Sequence, residues 1–282
     1  MGGNPTLDRR RLGTELRGLR EAAGKTHREV AAHLDCSQGK ISQIELGKVP
    51  VRTSDVRLML EFYGAAADEF ERLRTLASES KRVGWWQEYG KILQPGFDTY
   101  IGLEAGATAL RSFHSDVVPS LLQTEEYARC SMAAGADPGC ATGRLLRVQQ
   151  RRQERLAAPE PLDLRVVIDE GALRRFVGGP GVLRAQLEHL VLVSYRRNVT
   201  VRVLPFSAGE HPLLGDNVTY VELPDPANPA VVFLQNSAAC TFLDKPAQTR
   251  RYATALDQLE KLALDPRDSI RLIAGVADGI GG

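Results

Sequence analysis

The chain has 282 residues, 43% of them hydrophobic and 25% charged, with a formal net charge of +1. That length suggests about two domains, and the composition excludes a disordered, fibrous or disulfide-built chain. No apolar run reaches transmembrane length and the start lacks the apolar core of a signal peptide, so a cytoplasmic protein is expected, with its four cysteines (Cys36, Cys130, Cys140, Cys240) as free thiols.

Met1–Leu7 reads as a loose tail and Asp8–Ala23 as a first helix with Leu12, Leu16 and Leu19 inward. The stretch Thr26–Lys48, THREVAAHLDCSQGKISQIELGK, then predicts two short helices joined by a tight turn. Thr26 and Glu29 form a capping box, Val30, Ala31 and Leu34 make an apolar stripe, and Asp35-Cys36 is the turn. Ser37 caps the second helix, Ile41 and Ile44 point inward together, and Gly47 ends it. The opposite face carries Gly39, Ser42 and Gln43, flanked by Gln38 and Lys40, and has no acid. Such a face fits a DNA major groove, where Gln pairs with adenine, Lys with guanine and Ser with either. A plain helical hairpin with a solvated polar face is the competing reading. Gly39 costs the helix about 1 kcal/mol relative to Ala and leaves room for the backbone to approach a duplex. Arg9, Arg10, Arg11, Arg17, Arg20, Lys25, Arg28, Lys40, Lys48, Arg52 and Arg57 outnumber the acids of the same stretch. After a loop, Val49–Thr53, Ser54 is expected to cap a helix through Tyr63. Asp68 is expected to cap another through about Ser80, with Phe70, Leu73 and Ala77 on its apolar edge.

Leu12–Ala65 resembles an XRE-type helix-turn-helix domain, the class of the lambdoid phage repressors and Cro, with SQGKISQIELGK as recognition helix and closing turn. The resemblance implies an ion pair between Arg20 and Glu45. It implies base reading by Ser37, Gln38, Gly39, Lys40, Ser42 and Gln43, although Gly39 departs from the usual polar side chain. Thr26, His27, Lys48 and Arg52 complete the candidate DNA contacts.

A change of character near Lys81 divides the chain into 1–80, an all-α five-helix domain, and 81–282, a larger α+β domain with a small sheet and covering helices. Lys81–Gln94 holds Trp85, Trp86 and Tyr89. Phe97–Phe113 reads as one helix with Leu103, Ala107 and Leu110 on one side and Glu104 and Arg111 seven apart. Asp116–Thr124 reads as extended, and Thr124 caps a helix. Thr142–Ala157 is a basic helix whose Arg144, Arg147, Arg151 and Arg155 form a stripe. A solvated or internally paired face accounts for it better than DNA or an acidic partner. Strands are expected at Leu162–Ile168, Val199–Leu204, Val218–Leu223 and Ala230–Leu234, and helices at Pro180–Tyr195, Pro246–Leu264 and Arg267–Asp278.

Chemistry is sparse. His27, His33, His114, His189 and His211 show no metal spacing, so no metal or cofactor is expected. His114-Ser115-Asp116 brings triad residue types together only in sequence. Gly178-Gly179-Pro180-Gly181 lacks the Gly-Lys-Ser/Thr of a phosphate loop and reads as a turn. A non-catalytic protein is the default. Trp85, Trp86, Tyr89, Glu104, Arg111 and Glu170 are either packed aromatics beside an ion pair or the walls and anchors of a pocket for an effector or partner.

GWWQEYGKILQPGFDTYIGLEAGATALRSF, VPSLLQTEEYAR, VVIDEGALRRFVGG, VTVRVLPFSAGEHP and ALDQLEKLALDP resemble the actinobacterial WhiJ-like regulators over most of Val83–Ala274. These join an XRE-type head to a domain of poorly understood role and are described as antitoxin-like, often beside a small partner protein. In this chain Ser120 replaces a usual Gly, and Gln235-Asn236 stands where a Glu is usual. The expectation is a transcription regulator that binds operator double-stranded DNA as a homodimer. Its second domain would dimerise, chiefly through Thr142–Ala157 and Pro246–Leu264, and sense a small-molecule effector or small protein partner. The rivals are an antitoxin-like protein neutralising a cognate partner and an enzyme domain fused to a DNA-binding head.

Overall fold

Asn4, not Asp8, opens the first helix. In a computed structural model that describes residues 4–134, 141–236 and 239–280, the Asn4 side chain accepts from the Thr6 and Leu7 amides and Pro5 takes the first helical position. Helix α1 therefore runs Pro5–Ala22, so the tail expected over Met1–Leu7 is helical from Pro5, while residues 1–3 lie outside the described residues. Then follow α2 (His27–His33) and α3 (Gln38–Glu45), separated by a turn at Asp35, whose φ is 48°. Helix α4 (Thr53–Tyr63) starts after Arg52, leaving Ser54 inside its first turn rather than at the cap. Helix α5 (Ala67–Glu79) starts after Ala66, whose amide donates to Glu69 Oε2, so Asp68 is a first-turn acid rather than the cap. The five helices close on Leu12, Leu16, Val30, Ile41, Met59 and Leu73, all at most 1% exposed.

Helix α1 touches α3 backbone to backbone. A Cβ on Gly13 would stand 2.5 Å from the Glu45 carbonyl oxygen and 2.6 Å from that of Ile44. Gly47, just past α3, has φ +64°, and a Cβ there would lie 2.7 Å from Arg10 Cα. Both positions require glycine, the second on conformational grounds as well.

By contacts the chain forms two units, residues 1–87 with 225–229 and residues 88–224 with 230–282. The second unit departs from expectation at once. The single helix expected over Phe97–Phe113 is α6 (Phe97–Gly106) followed by strand β1 (Ala109–His114). The passage before Thr124 is not simply extended, since Ser120–Leu122 turns as a 3₁₀ helix. The order continues α7 (Glu125–Ala133), α8 (Thr142–Gln153), β2 (Asp163–Asp169), α9 (Glu170–Arg174), α10 (Pro180–Val193) and β3 (Val199–Leu204). It closes with β4 (Val218–Glu222), β5 (Ala230–Gln235), β6 (Cys240–Leu243), α11 (Pro246–Leu262) and α12 (Pro266–Gly279).

The result is an α+β domain on a six-stranded mixed sheet of order β3-β2-β1-β4-β5-β6. Strands β1, β2 and β3 are parallel and the remaining pairs antiparallel. Side-chain alternation gives β1 two different faces. Phe113 joins Val167 and Val232 against Leu256 and Leu259 of α11. Leu110, Ser112 and His114 point the other way, towards Phe97 and Tyr100 of α6 and Arg152 of α8. Of the helices singled out for dimer contacts, α11 packs on β1, β3, β4 and β5, and α8 buries Leu146, Val148, Gln149 and Arg152 within the domain, beside α7 and the Ser120–Leu122 turn.

Candidate nucleic-acid interface

Helix α3 is built from its cap outwards. Ser37 Oγ accepts from the Lys40 amide at 3.2 Å, and Thr26 heads α2 with a complete capping box. Within that box the Thr26 amide and hydroxyl both donate to Glu29, holding its carboxyl below the usual carboxylate range. Ile41 and Ile44 are buried beneath α3, while Ser37, Gln38, Gly39, Lys40 and Gln43 are exposed and Ser42 is half-buried. Among the described residues the Gln38 and Gln43 carboxamides make no hydrogen bond. A Cβ on Gly39 would meet only Ser37 Oγ, at 3.8 Å, so nothing among the described residues calls for glycine there.

The polar side chains near α3 are not all open. Lys40 Nζ donates to Asp55 Oδ2 of α4 at 3.1 Å, so it must leave that acid to reach a base. His27 turns towards α3, its Nε2 2.9 Å from Glu45 Oε2. Thr26 spends its hydroxyl on the cap. Lys48 and Arg52 are exposed and, among the described residues, have no ion-pair partner. Arg20 Nε donates to Glu45 Oε1 at 2.7 Å, Nη2 to Oε2 at 3.0 Å and Nη1 to the Lys25 carbonyl at 2.9 Å.

The six residues singled out in the second part do not come together as one site. Trp85 and Trp86 lie on a 3₁₀ turn in the first unit and pack edge to face, ring centres 5.9 Å apart, with Trp86 buried. Tyr89 lies beside the Arg144 guanidinium, 5.6 Å away. The Glu104–Arg111 helix pair is corrected, because the chain turns into β1 between them. Arg111 projects from the sheet to Asp257 at 2.6 Å and Glu260 at 2.9 Å on α11. Glu170 caps a local turn, accepting from Arg174 at 2.7 Å and from the Phe206 amide at 2.9 Å. Ser115 Oγ lies 3.0 Å from Asp116 Oδ2 and 3.3 Å from Asn217 Oδ1, with its one proton directed at these acceptors and not at His114, so His114-Ser115-Asp116 is a strand-end turn rather than a relay.

Glu104 has another partner, which lay one place off the arginine stripe. Arg152 Nε and Nη2 donate to its two oxygens, both at 2.7 Å, with the two side chains 5% and 2% exposed. The stripe itself is largely used internally, Arg144 and Arg151 by Glu88 and Arg155 by backbone carbonyls. Beside the buried pair is a cavity of about 240 Å³, lined among others by Phe97, Tyr100, Ser112, His114, Thr219 and Phe233. Phe97, Tyr100 and Ser112 fell within the helix expected over Phe97–Phe113, but off the Leu103, Ala107 and Leu110 face singled out on it. Ser112 and Thr219 are hydroxyls flanked by the apolar Leu110, Phe113, Val218 and Val221 of their strands, a signal that could have found them.

Cys36, Cys130 and Cys240 are free thiols, and Cys140 lies outside the described residues. No helix among the described residues is long and apolar enough to cross a membrane, and no group of three or more His, Cys, Asp or Glu there could hold a metal ion. A family model described as a domain of unknown function (DUF5753) matches residues 97–275. One described as a helix-turn-helix domain matches residues 11–73. No curated protein and no solved structure matches the chain.

Proposed function

Because the chain belongs to the family of the domain of unknown function DUF5753 and carries a helix-turn-helix head, we propose that it is a sequence-specific, non-catalytic transcription regulator. In this reading the head binds operator DNA, and the α+β domain dimerises and receives a signal. The observation that carries it is the outer face of α3, where Gln38 and Gln43 are exposed and uncommitted on a helix held from behind by Arg20–Glu45. Two free carboxamides on an acid-free face suit bidentate reading of adenine edges. Lys48 and Arg52 are available for phosphates, contacts that position a protein without selecting sequence.

A single helix of this length reads few base pairs, which is why helix-turn-helix proteins pair across half-sites about 34–36 Å apart. A two-fold dimer is the most common arrangement that achieves this. The resemblance to XRE-type and WhiJ-like proteins supports the same reading.

The test is binding to operators recovered by genome-wide mapping of bound sites. Gln38→Ala and Gln43→Ala should each relax base choice at one position per half-site and cost about 1–3 kcal/mol. Lys48→Ala and Arg52→Ala should weaken every sequence alike. Equal loss on matched and mismatched operators for the Gln variants would defeat the assignment. A monomeric full chain bound to a palindromic operator would defeat the dimer.

A further inference from the structure

We propose that the cavity under α6 and α8 binds an uncharged, ring-containing small molecule with a hydrogen-bond donor and acceptor on one edge. This rests on the reading of the α+β domain as the signal-receiving part and gives that signal a chemical class.

The argument starts in the middle of the sheet. Register places Val166, Ser112, Thr219 and Phe233 side by side across β2, β1, β4 and β5. A central strand buried on both faces ordinarily carries Val, Ile or Leu. Ser112 is only 4% exposed, lines the cavity and makes no side-chain hydrogen bond among the described residues. Its hydroxyl is therefore open to the cavity rather than tied to the chain.

His114, two residues on, sends its ring into the same space and likewise has no hydrogen-bond partner among the described residues. Burial lowers its pKa to about 4 against the pull of Asp116, so at neutral pH it offers one donor and one acceptor. The neighbouring polar corner is complete by contrast. Arg152 is bound by both oxygens of Glu104, and burial beside that pair raises the pKa of the Tyr100 hydroxyl. Ser112 and His114, with Thr219 beside Ser112 in the sheet, are therefore the open polar positions.

The walls define the rest of the ligand. Tyr100 stacks on Phe233 at 4.0 Å and 16°, Phe97 leans on both, and Leu110 and Leu164 add apolar surface. A ring fits against such a wall. The volume lies below the roughly 300–1,000 Å³ of ordinary ligand pockets, which calls for a molecule of one or two rings. Charge decides against an anion. The Arg152 guanidinium is neutralised by Glu104, and the other charge on the lining is the exposed carboxylate of Asp116.

The experiment titrates the full chain with benzamide, benzoate and toluene, three single-ring probes, and follows binding by ligand-observed NMR. Benzamide should bind wild type at least about tenfold more tightly than benzoate or toluene, and Ser112→Val should weaken benzamide by about tenfold, the worth of one hydrogen bond to a buried group. His114→Phe should have the same effect, and Ser112→Val should melt no lower than wild type. Absence of benzamide binding would overturn the proposal. So would equal binding of benzoate, or unchanged benzamide affinity in a folded Ser112→Val. If Ser112→Val does not fold, His114→Phe decides by the same criterion. No DNA is present, so failure here leaves operator binding untouched, while loss of base selectivity in the Gln variants leaves this cavity untouched.

Discussion

Arg20 and Glu45, twenty-five residues apart, meet in two hydrogen bonds of 2.7 and 3.0 Å, with side chains only 10% and 3% exposed. His27 reaches the same carboxylate from α2, so one buried acid at the end of α3 gathers three helices. Removing one partner leaves the other charge buried and alone. Arg20→Met or Glu45→Leu should each destabilise the head by about 3–5 kcal/mol, whereas the two replacements together should recover much of the loss. Urea melts of the four proteins give the coupling energy. A value near zero would mean the pair does not act as a unit.

Gly39 should separate stability from binding. With open space around its missing Cβ, Gly39→Ala should raise the stability of the head by about 1 kcal/mol through helix propensity. Operator affinity should fall if the α3 backbone approaches the duplex at that point. Tighter binding together with higher stability would show that no such approach is made.

Tyr63 carries an unused hydroxyl. Its oxygen is buried without a hydrogen-bond partner, and burial, aided by Glu45, pushes its pKa far above the usual value. Tyr63→Phe deletes a group that is desolvated and unpaired, so stability should be unchanged or rise by about 1 kcal/mol. A loss of about 2 kcal/mol or more would reveal a bond that the geometry does not provide.

His114 predicts an acid weakness in the α+β domain. Its value falls from 6.5 to about 4 on folding, so between those limits the unfolded chain binds the proton first. The stability tied to this group is complete above about pH 6.5, drains away as pH falls towards 4, and is level below that, with a ceiling of about 3 kcal/mol. His189 shifts the same way through burial and Arg196, so wild type must be compared with His114→Gln to isolate one ring. Parallel stability curves for the two proteins from pH 7 to 4 would exclude the assignment.

Much of the head was legible because its signals are local. Thr26 with Glu29, Ser37, the two isoleucines and Gly47 each act within one or two helical turns. Cap positions were less so, since Asn4, Arg52 and Ala66 start helices that Asp8, Ser54 and Asp68 advertised more strongly. In the second part β1 was unreadable for a physical reason. Ala109–His114 is paired on both sides and buried on both faces, so it lacks alternation, and the alanines before it extend the helical pattern. Strand β6 pairs only with β5 and is four residues long. Which arginine between 144 and 155 would be buried depended on where Glu104 stands in space, and no spacing in α8 encodes that.

The glycine contact between α1 and α3 has a mechanical consequence. Side chains at a helix crossing can change rotamer and absorb a small error in alignment, but peptide groups in direct contact cannot. With Gly13 against the carbonyls of Ile44 and Glu45, and Gly47 against Arg10, the tilt of the reading helix is set by hard surfaces with almost no play. Substitutions on the outside of α3, at Gln38, Gly39 and Gln43, can therefore change its surface without moving its axis, because that axis is fixed elsewhere. The same rigidity makes Gly13 the position where a single added methyl would misalign every contact at once.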